Sequence, residues 1–243
     1  SFSTRGEKTG LLKNQSGPNQ RWDFNGSTTE VGLWANGLLR SAEYAGRTEF
    51  LDMAREAVAA YLRHGFDEKT GRYYGQLNYL DGTPRKPERN ASDGPETFYQ
   101  PAEYAELWEP LFPTHNYPIS MAEASLTLYQ KTGDTLFLQA VHRWASQIAH
   151  SMPANEGKGA YADQYGRCIH FLVRASHVLG DESYFKRARQ LAAEATGHLF
   201  NRRSGMFRSH PGEERCDAVD GIGLLFLALI YLEQGKEYDL MGF

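Results

Sequence analysis

Gly46-Arg47, Gly133-Asp134 and Gly180-Asp181 open three copies of one phrase. Each is followed, after two spacers, by an aromatic-apolar pair (Phe50-Leu51, Phe137-Leu138, Tyr184-Phe185) and then by a small apolar residue, Ala54, Val141 or Ala188. A weaker fourth copy opens at Gly235-Lys236. The copies start at 46, 133, 180 and 235, so the unit is about 50 residues, with roughly 35–40 extra residues in the first interval. Every copy lies between two stretches of helical periodicity. Each unit therefore reads as an antiparallel helix pair closed by a tight glycine turn.

The periodicity predicts seven helices, over about 28–44, 48–64, 118–132, 135–151, 161–179, 183–196 and 217–232. Thr28 or Thr29 is the expected cap of the first, and Pro118 suits the opening turn of the third. The segments 66–74 and 200–208 share the pattern of a short hairpin around Gly71 or Gly205. Residues 1–27 read as an extended lead-in, and 81–116 as a loop insertion rich in proline and aromatics. The first helix of each pair carries few charges and the second carries many. An inner ring of apolar helices inside an outer amphipathic ring accounts for that difference. The 217–232 helix is almost wholly apolar after Gly223, which places it in the middle of a structure. The expected fold is all-α, an α/α toroid of about three and a half hairpins, with 1–243 as a single domain.

These glycine turns, the hairpins after the outer helices and the segment Tyr161-Ala162-Asp163-Gln164-Tyr165-Gly166-Arg167 resemble the six-hairpin, or α/α-toroid, carbohydrate-active enzymes. The resemblance implies polysaccharide lyases or glycoside hydrolases, without singling out one family. It also implies an oligo- or polysaccharide substrate, no cofactor, and an extracellular or periplasmic location. A six-hairpin ring needs more residues than these, and the chain opens at Ser1 rather than Met. Both read as a portion of a longer or processed chain.

Composition narrows the alternatives. A net charge of −4 with scattered Lys and Arg gives no reason to expect nucleic acid. The longest apolar run, Leu224 to Leu232, is too short to span a bilayer. Cys168 and Cys216 lack metal-ligand spacing and read as buried free thiols, with a disulfide as the alternative. No metal site is expected. Phosphate loops, GxSxG elbows, HExxH and Asp-rich prenyl-diphosphate motifs are missing from the sequence.

The connections between pairs are long, and they meet the starts of the inner helices, where function tends to collect. Aligning those helices on their glycine turns gathers Glu30, Tyr117 and Gln164 in one layer, Thr29, Asn116 and Asp163 in the next, and Thr28, His115 and Asp217 beyond; Asp220 lies nearby. Two chemistries fit. In β-elimination of a uronate, Tyr117 is the acid/base, His115 assists proton transfer, and Asn116 and Arg208 neutralise the carboxylate, with His210 beside them. In inverting hydrolysis, Asp163 works with Glu30, Asp217 or Asp220 across about 6.5–9.5 Å. Elimination is the leading expectation. Gln164, Tyr165, Arg167, Trp108 and Tyr104 complete the substrate-binding candidates, the aromatics by packing on sugar faces. Backbone capping explains Asp and Thr at these positions equally well. A non-catalytic helical-repeat domain that binds sugar or protein is the third reading.

Overall fold

The computed structural model describes residues 5–13, 25–86, 102–109, 117–153, 160–216 and 221–237. Seven α-helices dominate these residues: α1 (Thr28–Ala45), α2 (Thr48–His64), α3 (Ile119–Thr132), α4 (Thr135–His150), α5 (Ala162–Leu179), α6 (Glu182–Leu199) and α7 (Ile222–Gln234). Six short strands join them: β1 (Asn25–Ser27), β2 (Phe66–Asp67), β3 (Arg72–Tyr73), β4 (Gln76–Asn78), β5 (Phe200–Asn201) and β6 (Met206–Phe207). The glycines that anchor the repeat end α1, α3, α5 and α7. Gly46, Gly133, Gly180 and Gly235 all sit at φ between 62° and 69°, in the left-handed region where a side chain is strained.

The chain divides into two compact units. One comprises residues up to 107 and 111–143, the other 108–110 and 144–242. In the first unit α1 packs against both α2 and α3. Its approach to α3 depends on Gly32, where a Cβ would stand 2.4 Å from the Met121 nitrogen. The hairpin β2–β3 closes behind α2 with Phe66 opposite Tyr73, and β1 pairs antiparallel with β4 with Ser27 opposite Gln76. The described end of the insertion continues this fabric: Ala105 N–H donates to the Tyr73 carbonyl and Gly75 N–H to that of Glu103. Residues 102–109 are not helical. Glu103 pairs there with Lys86, and Glu106 with Arg72.

In the second unit α5 is the centre, flanked by α6 and α7. Gly166 is the point of closest approach, where a Cβ would stand 2.6 Å from the Leu225 nitrogen. The hairpin β5–β6 repeats the β2–β3 design, Phe200 opposite Phe207, directly after the outer helix α6.

The expected difference between helices is present in the burial. Every residue of α3 from Ile119 to Leu128 is buried, whereas α6 hides one stripe: Tyr184, Ala188, Leu191, Ala192, Ala195 and Leu199. That stripe recurs every three to four residues, as a helix with one solvent face must. Three expectations are corrected. Ser27, not Thr28 or Thr29, caps α1, its hydroxyl accepting the Glu30 N–H; both threonines lie inside the helix, buried. Only Leu225, Ala228 and Tyr231 of the apolar α7 are buried, and Phe226 is 45% exposed. Cys168 is buried and Cys216 half-buried, both as free thiols.

Candidate functional site

In the first unit the polar start of α1 does structural work. Thr28 N–H donates to the Gly75 carbonyl at 3.2 Å, fixing the helix to the segment before β4. The Thr29 hydroxyl accepts the Tyr117 N–H at 2.8 Å, joining the start of α1 to the approach to α3. The Ser120 hydroxyl donates to the Tyr117 carbonyl, and the Asn36 amide to that of Ser120. Tyr117 is consequently 6% exposed. Glu30 stands half-buried in the first turn of α1, where the helix dipole favours a carboxylate. Burial, with the Glu30 charge second, pushes the Tyr61 hydroxyl well above the usual phenol range. That hydroxyl donates to the Tyr74 carbonyl at 3.0 Å.

Tyr104 belongs to the same unit. Its ring stacks on Tyr74 with centroids 5.0 Å apart, and the Arg72 guanidinium lies 4.7 Å from its centroid. Its hydroxyl donates to Asp67 at 2.8 Å. This bond, with the Lys69 N–H and the Thr70 hydroxyl, holds the Asp67 carboxyl below its usual range.

In the second unit the start of α5 gathers most of the candidates. Tyr161 is the N-cap residue, and its N–H donates to Gln164 Oε1 at 2.9 Å, the reach-back half of a capping box. The Gln164 amide donates in turn to the Glu109 carbonyl, fastening residues 108 and 109 to the helix. Ala162 N–H donates to the Ser209 carbonyl at 2.8 Å, so the loop after β6 is tied to the same helix start. On that loop the His210 ring lies 4.5 Å from the Tyr161 ring. Its Nδ1 accepts the Gly212 N–H at 3.1 Å, which leaves Nε2 to carry the proton of the neutral ring. Glu213, held low chiefly by its bond to Arg215, also accepts from the Ser209 hydroxyl. Arg208 braces the hairpin, donating to the His198 carbonyl and facing Glu214 at 3.5 Å.

Asp163 is half-buried in the first turn of α5, and Arg167 stands four residues on, on the same helical face. Arg167 is 2% exposed. The backbone at Gly221 presses against Asp163 so closely that a Cβ there would stand 2.0 Å from the Asp163 Cβ. Tyr165 and Trp108 are interior. The Tyr165 hydroxyl donates to Glu194 at 2.9 Å, and burial together with that bond pushes its pKa up. The Trp108 indole donates to the Ser151 hydroxyl at 2.8 Å, and its ring leans on Tyr165 at 5.8 Å.

The structure thus brings Asp163, Gln164, Arg167, Tyr161 and His210 to the start of α5, and Glu30 and Tyr117 to the starts of α1 and α3. His115, Asn116, Asp217 and Asp220 lie outside the described residues. Among the described residues no group of three or more His, Cys, Asp or Glu is arranged to hold a metal ion, and no helix is long and apolar enough to cross a membrane.

Sequence reasoning missed a second polar layer. Asn36, Glu123 and His170 are each buried, 5%, 2% and 4% exposed, and each stands ten residues before its glycine turn. It also missed the close backbone approaches at Gly32, Gly166 and Gly221, each fourteen residues before its turn. The same alignment on the glycine turns, carried two helical turns further, finds both.

No family model and no curated protein matches this sequence. Solved structures do resemble it. Unsaturated glucuronyl hydrolase from Bacillus sp. GL1 matches with a TM-score of 0.62 at 12% identity, over 93% of this chain and 64% of its own. The inactive α-1,6-mannanase of Salegentibacter sp. HEL1_6, solved with α-1,6-mannotetrose, matches with a TM-score of 0.56 at 15% identity, over 87% and 62%. A polysaccharide lyase matches with a TM-score of 0.51 at 13% identity, over 86% and 54%. The chain therefore spans somewhat over half the length of the structures it matches. At these identities the likeness establishes the fold, a helical-hairpin repeat of the α/α-toroid class shared with carbohydrate-active enzymes.

Proposed function

We propose that this chain is the catalytic part of an enzyme that cleaves glycosidic bonds in an oligo- or polysaccharide containing uronic acid. The observation that carries this reading is the start of α5, where Asp163 and Arg167 share a face beside the Tyr161–His210 aromatic pair. Carboxylates do the acid and base work of glycoside cleavage. A guanidinium in a water-poor site recognises a sugar carboxylate with a planar fork. The likeness to an unsaturated glucuronyl hydrolase supports the uronate, and the likeness to a mannanase and a lyase supports a glycan substrate more broadly.

Between the two chemistries we favour hydrolysis. Gly221 abuts Asp163, and Asp220 is the residue before Gly221 in the sequence. In this reading Asp163 and Asp220 are the pair, one protonating the leaving oxygen and the other activating water. Elimination is the second reading, with Tyr117 as acid/base and His115 and Asn116 beside it. It loses one support, because Arg208 is engaged with Glu214 and His198.

The test is a panel of uronate oligo- and polysaccharides followed by reducing-end release and by ultraviolet absorbance of an unsaturated product. Reducing ends without new absorbance, lost in Asp163→Asn, support hydrolysis. New absorbance, lost in Tyr117→Phe and retained in Asp163→Asn, replaces it with elimination. Binding without either signal, tolerant of both substitutions, replaces enzyme with binding domain.

A further inference from the structure

The loop after β6 is closed on itself around one histidine. His210, Pro211, Gly212 and Glu213 make a tight turn in which the Glu213 N–H donates to the His210 carbonyl at 3.1 Å. Proline at the second position sets φ for such a turn in advance. The Gly212 N–H donates to His210 Nδ1 at 3.1 Å, so the turn is bonded to the ring as well as to the backbone. The Glu213 carboxylate then reaches back. It accepts from the Ser209 hydroxyl at 3.1 Å and from Arg215 Nη2 at 2.6 Å. Ser209 is fully buried, and its N–H donates to the Arg215 carbonyl at 3.3 Å. Its own carbonyl accepts the Ala162 N–H, and Ala162 is the residue before Asp163.

Ser209 anchors the loop, whereas His210 beside it is only half-buried. The Gly212 N–H and the Tyr161 ring, centred 4.5 Å away and tilted by 37°, together fix the imidazole. A neutral ring that accepts at Nδ1 carries its proton on Nε2. A donor oriented beforehand raises affinity for a ligand oxygen, because less rotamer freedom is lost when the two meet. We infer that His210 is a substrate-binding residue, its Nε2–H donating to an oxygen of a uronate sugar at the start of α5, and that Glu213 is the residue that positions it. The inference takes the identity of the ligand from the catalytic reading above; the donor and its positioning rest on the bonds of the loop. Glu213 acts through the turn. Without its carboxylate, Ser209 and Arg215 lose their shared acceptor, and the turn that brings the Gly212 N–H to the ring is released.

The test is nuclear magnetic resonance of the nitrogen-labelled chain, with the His210 ring assigned as the signal that His210→Gln removes. D-Glucuronate is the probe, titrated into the millimolar range. The free protein is expected to show His210 protonated at Nε2, and glucuronate to shift that signal saturably. A ring protonated at Nδ1, or signals that glucuronate leaves unmoved, overturn the inference. Affinity in each variant is read from backbone amide shifts. Glu213→Ala is expected to weaken glucuronate by about 3–10-fold, the worth of one hydrogen bond. Glu213→Gln, which keeps an acceptor for the Ser209 hydroxyl, is expected to restore most of it. In a His210→Gln background Glu213→Ala should add nothing, since it acts through the ring. A full further loss there makes Glu213 merely structural and overturns its positioning role. Reducing-end activity on the uronate panel with unmoved His210 signals overturns this inference and leaves the catalytic reading standing. Signals that move in a chain without activity overturn catalysis and leave the sugar contact standing.

Discussion

The close approach of parallel helices at glycine makes a sharp prediction. At Gly166 an added Cβ would stand 2.6 Å from the Leu225 nitrogen and 2.7 Å from the Leu224 carbonyl carbon. Both neighbours are backbone, so no side chain can swing away. Reaching the ordinary contact distance of 3.4 Å requires α7 to retreat by about 0.8 Å along its whole seat on α5. Forced overpacking of this kind costs about 1–3 kcal/mol, and a rigid backbone wall puts Gly166→Ala at the upper end. Helix propensity returns about 1 kcal/mol, leaving a net loss of ~2 kcal/mol. Gly37→Ala is the matched control, also within a helix but with nothing within 4 Å of the added Cβ. It should gain ~0.5–1 kcal/mol. Urea titration followed by circular dichroism reads both, through the midpoint at constant slope. In melting temperature this is a fall of about 4–8 °C against a rise of about 1–4 °C. Equal shifts of the same sign would refute the claim that backbone contact sets the spacing of these helices.

Other consequences are smaller or more local. Asp163→Asn should lower kcat by about 10²–10⁴-fold with a cooperative melting transition retained, read by reducing-end assay and thermal melt. Ser27→Ala removes the acceptor of the Glu30 N–H and should cost ~1 kcal/mol by the same melt. Trp108→Phe keeps the ring against Tyr165 but loses the bond to Ser151, so stability should fall by ~0.5–1.5 kcal/mol with KM unmoved; a raised KM would return Trp108 to the sugar. Because the folded-state pKa of Asp67 is depressed, its contribution is present above the unfolded value of about 4 and is lost as pH falls through the lower folded value. Melting temperatures of parent and Asp67→Asn should therefore differ at neutral pH and converge in acid.

The repeat determined much by itself. A glycine that must adopt positive φ, followed by a charged residue and an aromatic-apolar pair, marks a helix reversal wherever it occurs, and α2 begins and ends where the periodicity places it. The contrast between α3 and α6 was legible for the same local reason, since one face of a helix in water must be polar. The site was legible only as a list of residues at helix starts. Which of them hold the structure was decided by tertiary contact. Thr29 spends its hydroxyl on Tyr117, Gln164 spends its amide on residues 108 and 109, and Trp108 points its indole at Ser151. Their partners lie 88, 55 and 43 residues away, beyond the reach of any local pattern. The approach of Gly221 to Asp163 is of the same kind. Composition and periodicity state which side chains a helix start carries; only the packing of one helix against another decides which distant groups those side chains meet.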